Sequence, residues 1–568
     1  MGLKTGEAPT PLPILPLVSR GPQTYAGHTR LRPILAAGLA LGILISICLA
    51  LGSRPPAAQA LPSQPNVVMV MTDDQTLADY MARPKGKWLM PRTHSLIENQ
   101  GVRFSRAYSS YPLSCPSRTT FLSGQYAHNH EVLSNVRHPS GSETIYCSDP
   151  EFDVDYTTTL PSWLQARGYR TIHTGRFLNG FPAVSDTEIP PGWNEWFSPV
   201  FRSQYPSANF YGYVMNDNGS LTEPFGEYLQ IDSTNYFTDV IHDWADEQID
   251  LAIAAGDPFF TVIDERAPHE DSSLPVGPQP ALRHIGSPTE RPPKNASTDE
   301  RDVSDKPYYI RSGGRITSPK TIKELRVRNK RRQESLRAVD EGIGHLIDNL
   351  AAKGVLNETY ILFASDNGFF RGEHEISKGK GRHYEPATHI PMLIRGPGLK
   401  RGRVNHSLVA NVDLAATIAD ITNANPTRKL DGRSLIPLAQ RPDTVWNRPI
   451  LIEEFFRKKG RPVRSLVEES GSKTTRLPNH QAIISGWWKL VRYVTGELEL
   501  YNLKKDPHEV WSIHREREAM GLRKYLLRQL AKLDMCRGDG CRRQFVIPPR
   551  LSAGGLKAIA RVSRKGRP

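Results

Sequence analysis

Short, nearly unbroken apolar runs recur along the chain, at Asn66-Val-Val-Met-Val-Met71, Tyr169–Ile172, Phe259–Ile263, Tyr360–Ala364 and Met392–Ile394. Runs without polar alternation suit strands buried on both faces, as in a parallel sheet covered by helices. Helical periodicity lies between them, clearest at Leu336, Val339, Ile343, Leu346, Ile347 and Leu350, and it ends at Gly354. Strands alternating with helices predict an α/β fold, a large and mostly parallel sheet sandwiched by helices. Ser287 to Asp305 is polar and proline-rich and reads as a long surface loop. Beyond Pro426 the pattern changes. Gln481–Ile484, Trp488–Tyr493 and Leu498–Leu503 are short and separated by turns, which predicts a smaller C-terminal antiparallel-sheet subdomain.

Composition adds a puzzle. The chain of 568 residues carries a formal charge of +14 and a pI near 9.4, a balance that invites a polyanionic partner. The excess is terminal, however. Residues 1–60 hold five Lys or Arg against Glu7, and residues 536–568 hold nine against Asp539, leaving the body almost neutral. This distribution argues against a global nucleic-acid groove. Arg30 and Arg32 precede an apolar run from Ile34 to Gly52, and Ala58-Gln59-Ala60 follows as a small-x-small site. That order reads as a signal peptide cut after Ala60, with an uncleaved N-terminal membrane anchor as the alternative. The expected organisation is therefore 1–60 export segment, 61–425 main domain, 426–535 small subdomain and 536–568 basic tail. The expected location is secreted or extracytoplasmic.

Export permits disulfides. Cys536 and Cys541 flank a glycine-containing turn and read as a local bridge, with Cys115–Cys147 the simplest remaining pair among three possible connectivities. Zinc is disfavoured because no second cysteine pair or histidine lies near Cys536 and Cys541 in the chain.

Ligands of open α/β sheets sit beyond the carboxyl ends of strands. The first run is followed by Asp73-Asp74 and another by Ser365-Asp366-Asn367-Gly368. Three carboxylates and an amide oxygen would suit a hard cation such as Ca²⁺ or Mg²⁺. The competing reading is a pair of Asp-rich turns.

The segment Ser114-Cys115-Pro116-Ser117-Arg118-Thr119-Thr120-Phe121-Leu122-Ser123-Gly124 resembles the signature of the sulfatase family, Cys or Ser followed by x-Pro-x-Arg and a later Thr-Gly or Ser-Gly. The resemblance extends through Asp73-Asp74, Gly124-Gln125-Tyr126-Ala127-His128-Asn129, Ala267-Pro268-His269, Asp366-Asn367-Gly368, Lys380-Gly381-Arg382-His383-Tyr384-Glu385 and Leu500-Tyr501-Asn502-Leu503. It covers most of residues 66–510 and leans toward the arylsulfatase and N-acetylglucosamine-6-sulfatase branch. It implies an alkaline-phosphatase-like fold and hydrolysis of an aryl or carbohydrate sulfate ester. It also implies one Ca²⁺ (or Mg²⁺) held by Asp73, Asp74, Asp366 and Asn367, completed by residue 114. Position 114 would be formylglycine, installed by a maturation enzyme, and its hydrate would be the nucleophile. Arg118 would hold that residue and its turn, Lys380 would contact sulfate, and His269 would protonate the leaving alcohol.

Two departures bear on mechanism. Relatives carry Gly-Lys-aromatic-Leu-Asn where this chain has Gly175-Arg176-Phe177-Leu178-Asn179, so a planar fork replaces a point donor, for sulfate or for a carboxylate. Ser114 stands where the commoner signature has Cys. A hydrate has one hydroxyl to attack sulfur and another to expel sulfate, whereas unmodified serine has only one. Two rival readings therefore stay open. One is a phosphatase or phosphodiesterase using Ser114 directly, with further ligands drawn from His269, His374, His383 and His389. The other is a weak relative that binds sulfated glycans through the basic tail.

Overall fold

The structure, a computed structural model, describes residues 64–544 except 138–144, 148–154, 183–184, 201–208, 228–229, 272, 442–443, 455–456, 459–460 and 463–476. The proposed export segment and the tail from 545 onward lie outside the described residues.

Ten strands form one mixed sheet: β1 (Asn66–Thr72), β2 (Val102–Tyr108), β3 (Arg170–Gly175), β4 (Glu195–Pro199), β5 (Met215–Asp217), β6 (Ser220–Leu221), β7 (Phe259–Asp264), β8 (Thr359–Ser365), β9 (Met392–Arg395) and β10 (Arg403–Ala410). Their spatial order is β10-β2-β9-β8-β1-β7-β3-β4-β5-β6. The central block β8-β1-β7-β3-β4 is wholly parallel. Every residue of β1, β7 and β8 is buried, the outcome expected of apolar runs covered on both faces.

Alternate side chains of β1 enter two separate cores. Val67, Met69 and Met71 pack with residues of α1 (Ser114–Ser123), α2 (Leu160–Ala166) and, further along the chain, residues 412–422. Val68 and Val70 pack instead with α3 (Phe237–Ala255) and α4 (Pro319–Ala352). The sheet is thus sandwiched by helices, as the sequence predicted.

A second sheet, β11 (Ile450–Glu454), β12 (His480–Ser485), β13 (Trp488–Tyr493) and β14 (Leu498–Asn502), is antiparallel throughout. It shares a third core with α5 (Val412–Thr422) through Val412, with α6 (Met520–Leu533), and with Tyr108, Tyr126 and Tyr384 of the main sheet and its loops. The loop at 287–305 is irregular, yet its last part is anchored. Buried Glu300 pairs with His374 at 2.8 Å and with Lys306 at 2.9 Å.

Both disulfides, Cys115–Cys147 and Cys536–Cys541, are formed. The fold brings His128 to the second one, a proximity invisible in sequence spacing. This is no zinc site, because the sulfurs are bonded to each other. The imidazole is already engaged, Nδ1 with Glu453 at 2.7 Å and Nε2 with the Cys536 carbonyl at 2.9 Å. Among the described residues no helix is long and apolar enough to cross a membrane.

Burial opposes protonation of His128, but the Glu453 carboxylate outweighs it and pushes the imidazole up to about 9. A raised folded-state pKa contributes stability that is complete below the unfolded value of about 6.5 and is lost as pH rises through about 9. His128→Gln should flatten that part of the stability–pH profile in urea unfolding. An unchanged slope between those pH values would show that the pair contributes nothing.

Candidate active site

Four neighbouring parallel strands end together. Thr72 of β1 stands beside Ser365 of β8, Met71 beside Asp264 of β7, and Asp264 beside Gly175 of β3. The residues that follow therefore emerge at one edge: Asp73 and Asp74, Asp366 and Asn367, Asp264 itself, and Arg176. Gly175 is required here. Its φ is +97°, and a side chain would collide with the Asp264 carbonyl.

Helix α1 begins over this edge. Ser114 is its first residue, and Arg118 lies one turn on along the same face. Both are buried. Ser114 Oγ accepts from Lys380 Nζ at 2.7 Å and lies 3.5 Å from Asp73 Oδ1. Lys380 Nζ also donates to Asp74 Oδ1 at 2.7 Å. Its loop is tied to the turn before Ser114 by the Gly381 N–H, which donates to the Pro112 carbonyl. Arg118 reaches three strand ends at once, with Nη1 2.9 Å from Asp264, Nε 3.3 Å from Asp366 and Nη2 3.5 Å from Asp73. Burial alone would lower its pKa, but Asp264 and Asp366 hold it above the ordinary value. Arg176 pairs with Asp73 and donates to Asn179 Oδ1 at 3.0 Å. The Arg at this position is thus a carboxylate partner in this structure. Asn179 N–H also donates to Cys115 Sγ at 3.3 Å, joining this loop to the disulfide beside Ser114.

His269 sits at the rim with Nε2 3.9 Å from Asp74 Oδ2. Nδ1 engages the Glu270 carbonyl at 2.8 Å, which leaves Nε2 facing the site. Burial, and then Arg176, Lys380 and Arg266, hold its pKa well below the usual imidazole value.

The donor set fits a hard divalent cation. Asp73, Asp74 and Asp366 are essentially inaccessible, and Asn367 Oδ1 is buried without a hydrogen-bond donor while its Nδ2 faces Asp74 Oδ1. A buried amide oxygen beside three carboxylates is an oxygen-rich environment that a cation would satisfy. All nine residues singled out in the sequence are therefore brought together: Asp73, Asp74, Ser114, Arg118, Arg176, His269, Asp366, Asn367 and Lys380. The other histidines are not. His374 pairs with Glu300, His383 with Glu499 and His389 with Glu385, all at 2.8 Å.

Sequence reasoning missed four contributors. Asp264 directly follows the Phe259–Ile263 run, so the strand-end rule should have found it. Arg266 is buried, and burial together with Arg176 pushes it down to about 9. Arg332, fully buried, donates to the Asp74 carbonyl at 2.6 Å, to the Pro268 carbonyl at 3.2 Å and to Asp79 at 2.8 Å. Arg371 holds the other oxygen of Asp79 at 2.6 Å. Arg332 thus clamps the turn bearing Asp74, whose φ is +71°, to the turn bearing His269.

The fold and this buried edge of carboxylates and cations define an α/β protein with an oxygen-rich site at its strand ends, and comparison narrows it. The sulfatase family model matches residues 65–424, and the model for the C-terminal part of N-sulphoglucosamine sulphohydrolase matches 372–535. The chain belongs to the sulfatase family, enzymes that hydrolyse sulfate esters. It is 33% identical over 378 residues to a putative extracellular sulfatase Sulf-1 homolog of Caenorhabditis elegans, covering 66% of this chain but only 49% of that one. It is 29% identical over 517 residues to the N-acetylglucosamine-6-sulfatase of Homo sapiens, covering 86% of this chain and 87% of the relative. Among solved structures, BT4656 in complex with its substrate D-glucosamine-2-N,6-O-disulfate has the same fold. Its TM-score is 0.64 at 22% identity, over 82% of this chain and 97% of that one.

Arg332→Met should weaken divalent-cation binding by about 10–100-fold in calorimetric titration, because it removes the outer contact that fixes the Asp74 turn. It should also cost about 3–5 kcal/mol of stability by leaving Asp79 short of one partner. Wild-type divalent-cation affinity in a folded Arg332→Met protein would refute the clamp.

Proposed function

We propose that this protein is an exported sulfatase acting on a carbohydrate sulfate ester, with position 114 as the nucleophile in its formylglycine form. The observation that carries this reading is the meeting of Ser114 Oγ with Lys380 Nζ, beside Asp73 and at the start of a helix. A helix start favours negative charge, and Lys380 adds a buried cation where the sulfuryl oxygens would lie. Arg118 orients residue 114 by fixing its helix turn to three strand ends. Arg176 supplies charge next to Asp73. His269, whose Nδ1–H donates to the Glu270 carbonyl, presents Nε2 to the leaving oxygen, and the negative charge of a bound sulfate would raise its lowered pKa so that the imidazolium can donate the proton. Asp73, Asp74, Asp366 and Asn367, with residue 114, would hold one Ca²⁺, and Mg²⁺ is the smaller alternative. When bound, that ion neutralises charge on the sulfate. Formylglycine supplies the second hydroxyl through which sulfate is expelled, and a dedicated maturation enzyme must install it.

The carbohydrate substrate is supported by likeness to N-acetylglucosamine-6-sulfatase along most of its length. Export is supported by the sequence of residues 1–60 and by the relative named extracellular. Residues 61–425 would form the catalytic domain, 426–535 the bracing subdomain and 536–568 the basic tail. A phosphatase using unmodified Ser114 and two metals is disfavoured, because His374, His383 and His389 are committed elsewhere.

Mass spectrometry of the Ser114-containing peptide should show loss of two hydrogens and reactivity toward hydrazide. Turnover of 4-nitrophenyl sulfate should exceed that of 4-nitrophenyl phosphate, and Lys380→Ala or His269→Ala should lower kcat/KM by about 10²–10⁴-fold. Dominant phosphate turnover, or full sulfatase activity with unmodified serine, would overturn this assignment.

A further inference from the structure

His173 is a polar residue in a place built for an apolar one. It sits on β3 directly beside Trp196 of β4 and is fully buried. Its ring stacks on Trp196 with centroids 4.3 Å apart and makes edge contacts with Phe177 and Trp193, each at 5.2 Å. All three aromatics belong to the core that α1 helps to cover. A phenylalanine would fill this box without the cost of drying an imidazole, so packing alone does not account for the histidine.

What the imidazole adds is an N–H. Nε2 lies 3.1 Å from Asp264 Oδ2, and an ionised carboxylate can only accept, so this nitrogen carries the proton. Nδ1 has no hydrogen-bond partner among the described residues. Burial holds the ring below the usual imidazole pKa against the pull of Asp264, which keeps it neutral with a single donor.

Asp264 in turn joins two strands to the helix. Its Oδ1 is 2.9 Å from Arg118 Nη1, and its carbonyl accepts from the Arg176 N–H at 2.8 Å. Arg118 Nη1 also donates to the Arg176 carbonyl at 3.0 Å. The terminal torsion of an aspartate is broad, so a carboxylate held at one oxygen alone can turn away from its partner. His173, on the other oxygen, removes that freedom. Arg118 lies one turn after Ser114, so the chain of contacts from His173 through Asp264 ends at the first turn of α1. All three side chains are buried, where such bonds are strongest. A core histidine satisfied by a nearby acid is the bland account. It leaves unexplained why the acid so served is the one that touches Arg118.

We propose that His173 is a positioning residue for residue 114: by donating to Asp264 it fixes the carboxylate that holds Arg118, and through Arg118 the helix turn that presents the nucleophile. This rests on the sulfatase reading for the reaction, and on the contacts themselves for the positioning.

The test compares the full-length protein with His173→Phe, which keeps the ring and loses the donor, and with His173→Gln, whose amide places an N–H near the Nε2 position. His173→Met fills the same space without a donor and replaces the Phe variant if circular dichroism shows that protein unfolded. Activity is read on 4-nitrophenyl sulfate and normalised to the fraction of formylglycine at position 114, measured by mass spectrometry. Loss of the donor should lower kcat by about 10–100-fold while KM changes by less than about threefold. His173→Gln should recover most of that loss. His173→Phe/Asp264→Asn should be no slower than Asp264→Asn alone, because without the carboxylate the imidazole has nothing to hold. Wild-type kcat in the Phe or Met variant would overturn the proposal. So would equal losses in the Gln and Phe variants, or losses that simply add in the double variant. If the wild-type protein turns over no sulfate ester, the sulfatase reading fails, and calorimetric titration with Ca²⁺ decides the positioning role, since Arg118 also touches Asp73 and Asp366. An affinity about tenfold weaker in His173→Phe and restored in His173→Gln would sustain that role, and an unchanged affinity would end it.

Discussion

Like charges forced together govern this molecule. Parallel strands β8, β1, β7 and β3 end side by side, and each delivers its polar residues to the same dry edge, so Asp73, Asp74, Asp264 and Asp366 converge. At about 4 Å and an effective dielectric near 20, each such repulsion amounts to about 4 kcal/mol. Such an edge persists only if cations are built into it. Arg118 answers with one guanidinium across three strand ends, and Lys380 and Arg176 close the remaining approaches. The groups proposed to recognise an anionic substrate are therefore the same groups that make the acidic edge tolerable.

The C-terminal sheet takes part in that balance. Glu499 of β14 is buried and accepts from Tyr384, Tyr493 and Tyr501 at 2.8 Å each, while His383 pairs with it at the same distance. Lys489 of β13 bridges Glu385 and Glu509. Residues 383–385 lie just beyond Lys380, so the small sheet grips the loop that carries the lysine. Of the histidines offered by the sequence as extra metal ligands, His383 and His389 serve this grip, through Glu499 and Glu385.

Much of the fold was legible because buried parallel strands announce themselves as apolar runs. The five runs correspond to β1, β3, β7, β8 and β9, and the late short segments correspond to β12, β13 and β14. Helix α4 was legible only in its second half. Its apolar period covers 336–350, but the helix begins at Pro319, where the buried positions include Arg328, Asn329 and Arg332. A polar buried face has no hydrophobic signature. For the same reason Arg332 escaped notice, since its value lies in carbonyls more than 60 residues away in sequence. β2 and β10 were missed because their apolar runs are broken, in β2 by the half-buried Arg103 and Ser105 and in β10 by the exposed Arg403, Val404 and His406. The nine site residues emerged through motif order, since spacing alone left Asp-rich turns as an equal reading.

Ser114 is wholly inaccessible, sits in the first turn of α1, and is followed by Cys115, which is bonded to Cys147. A modifying enzyme cannot take that residue into its own active site once the chain has closed over it. Any enzyme that alters Ser114 must therefore win a race against folding, acting while the segment is still extended and Cys115 still reduced. If activity requires that alteration, yield of competent protein becomes a question of timing during synthesis, and two chains of identical sequence and shape can differ permanently in what they are able to do.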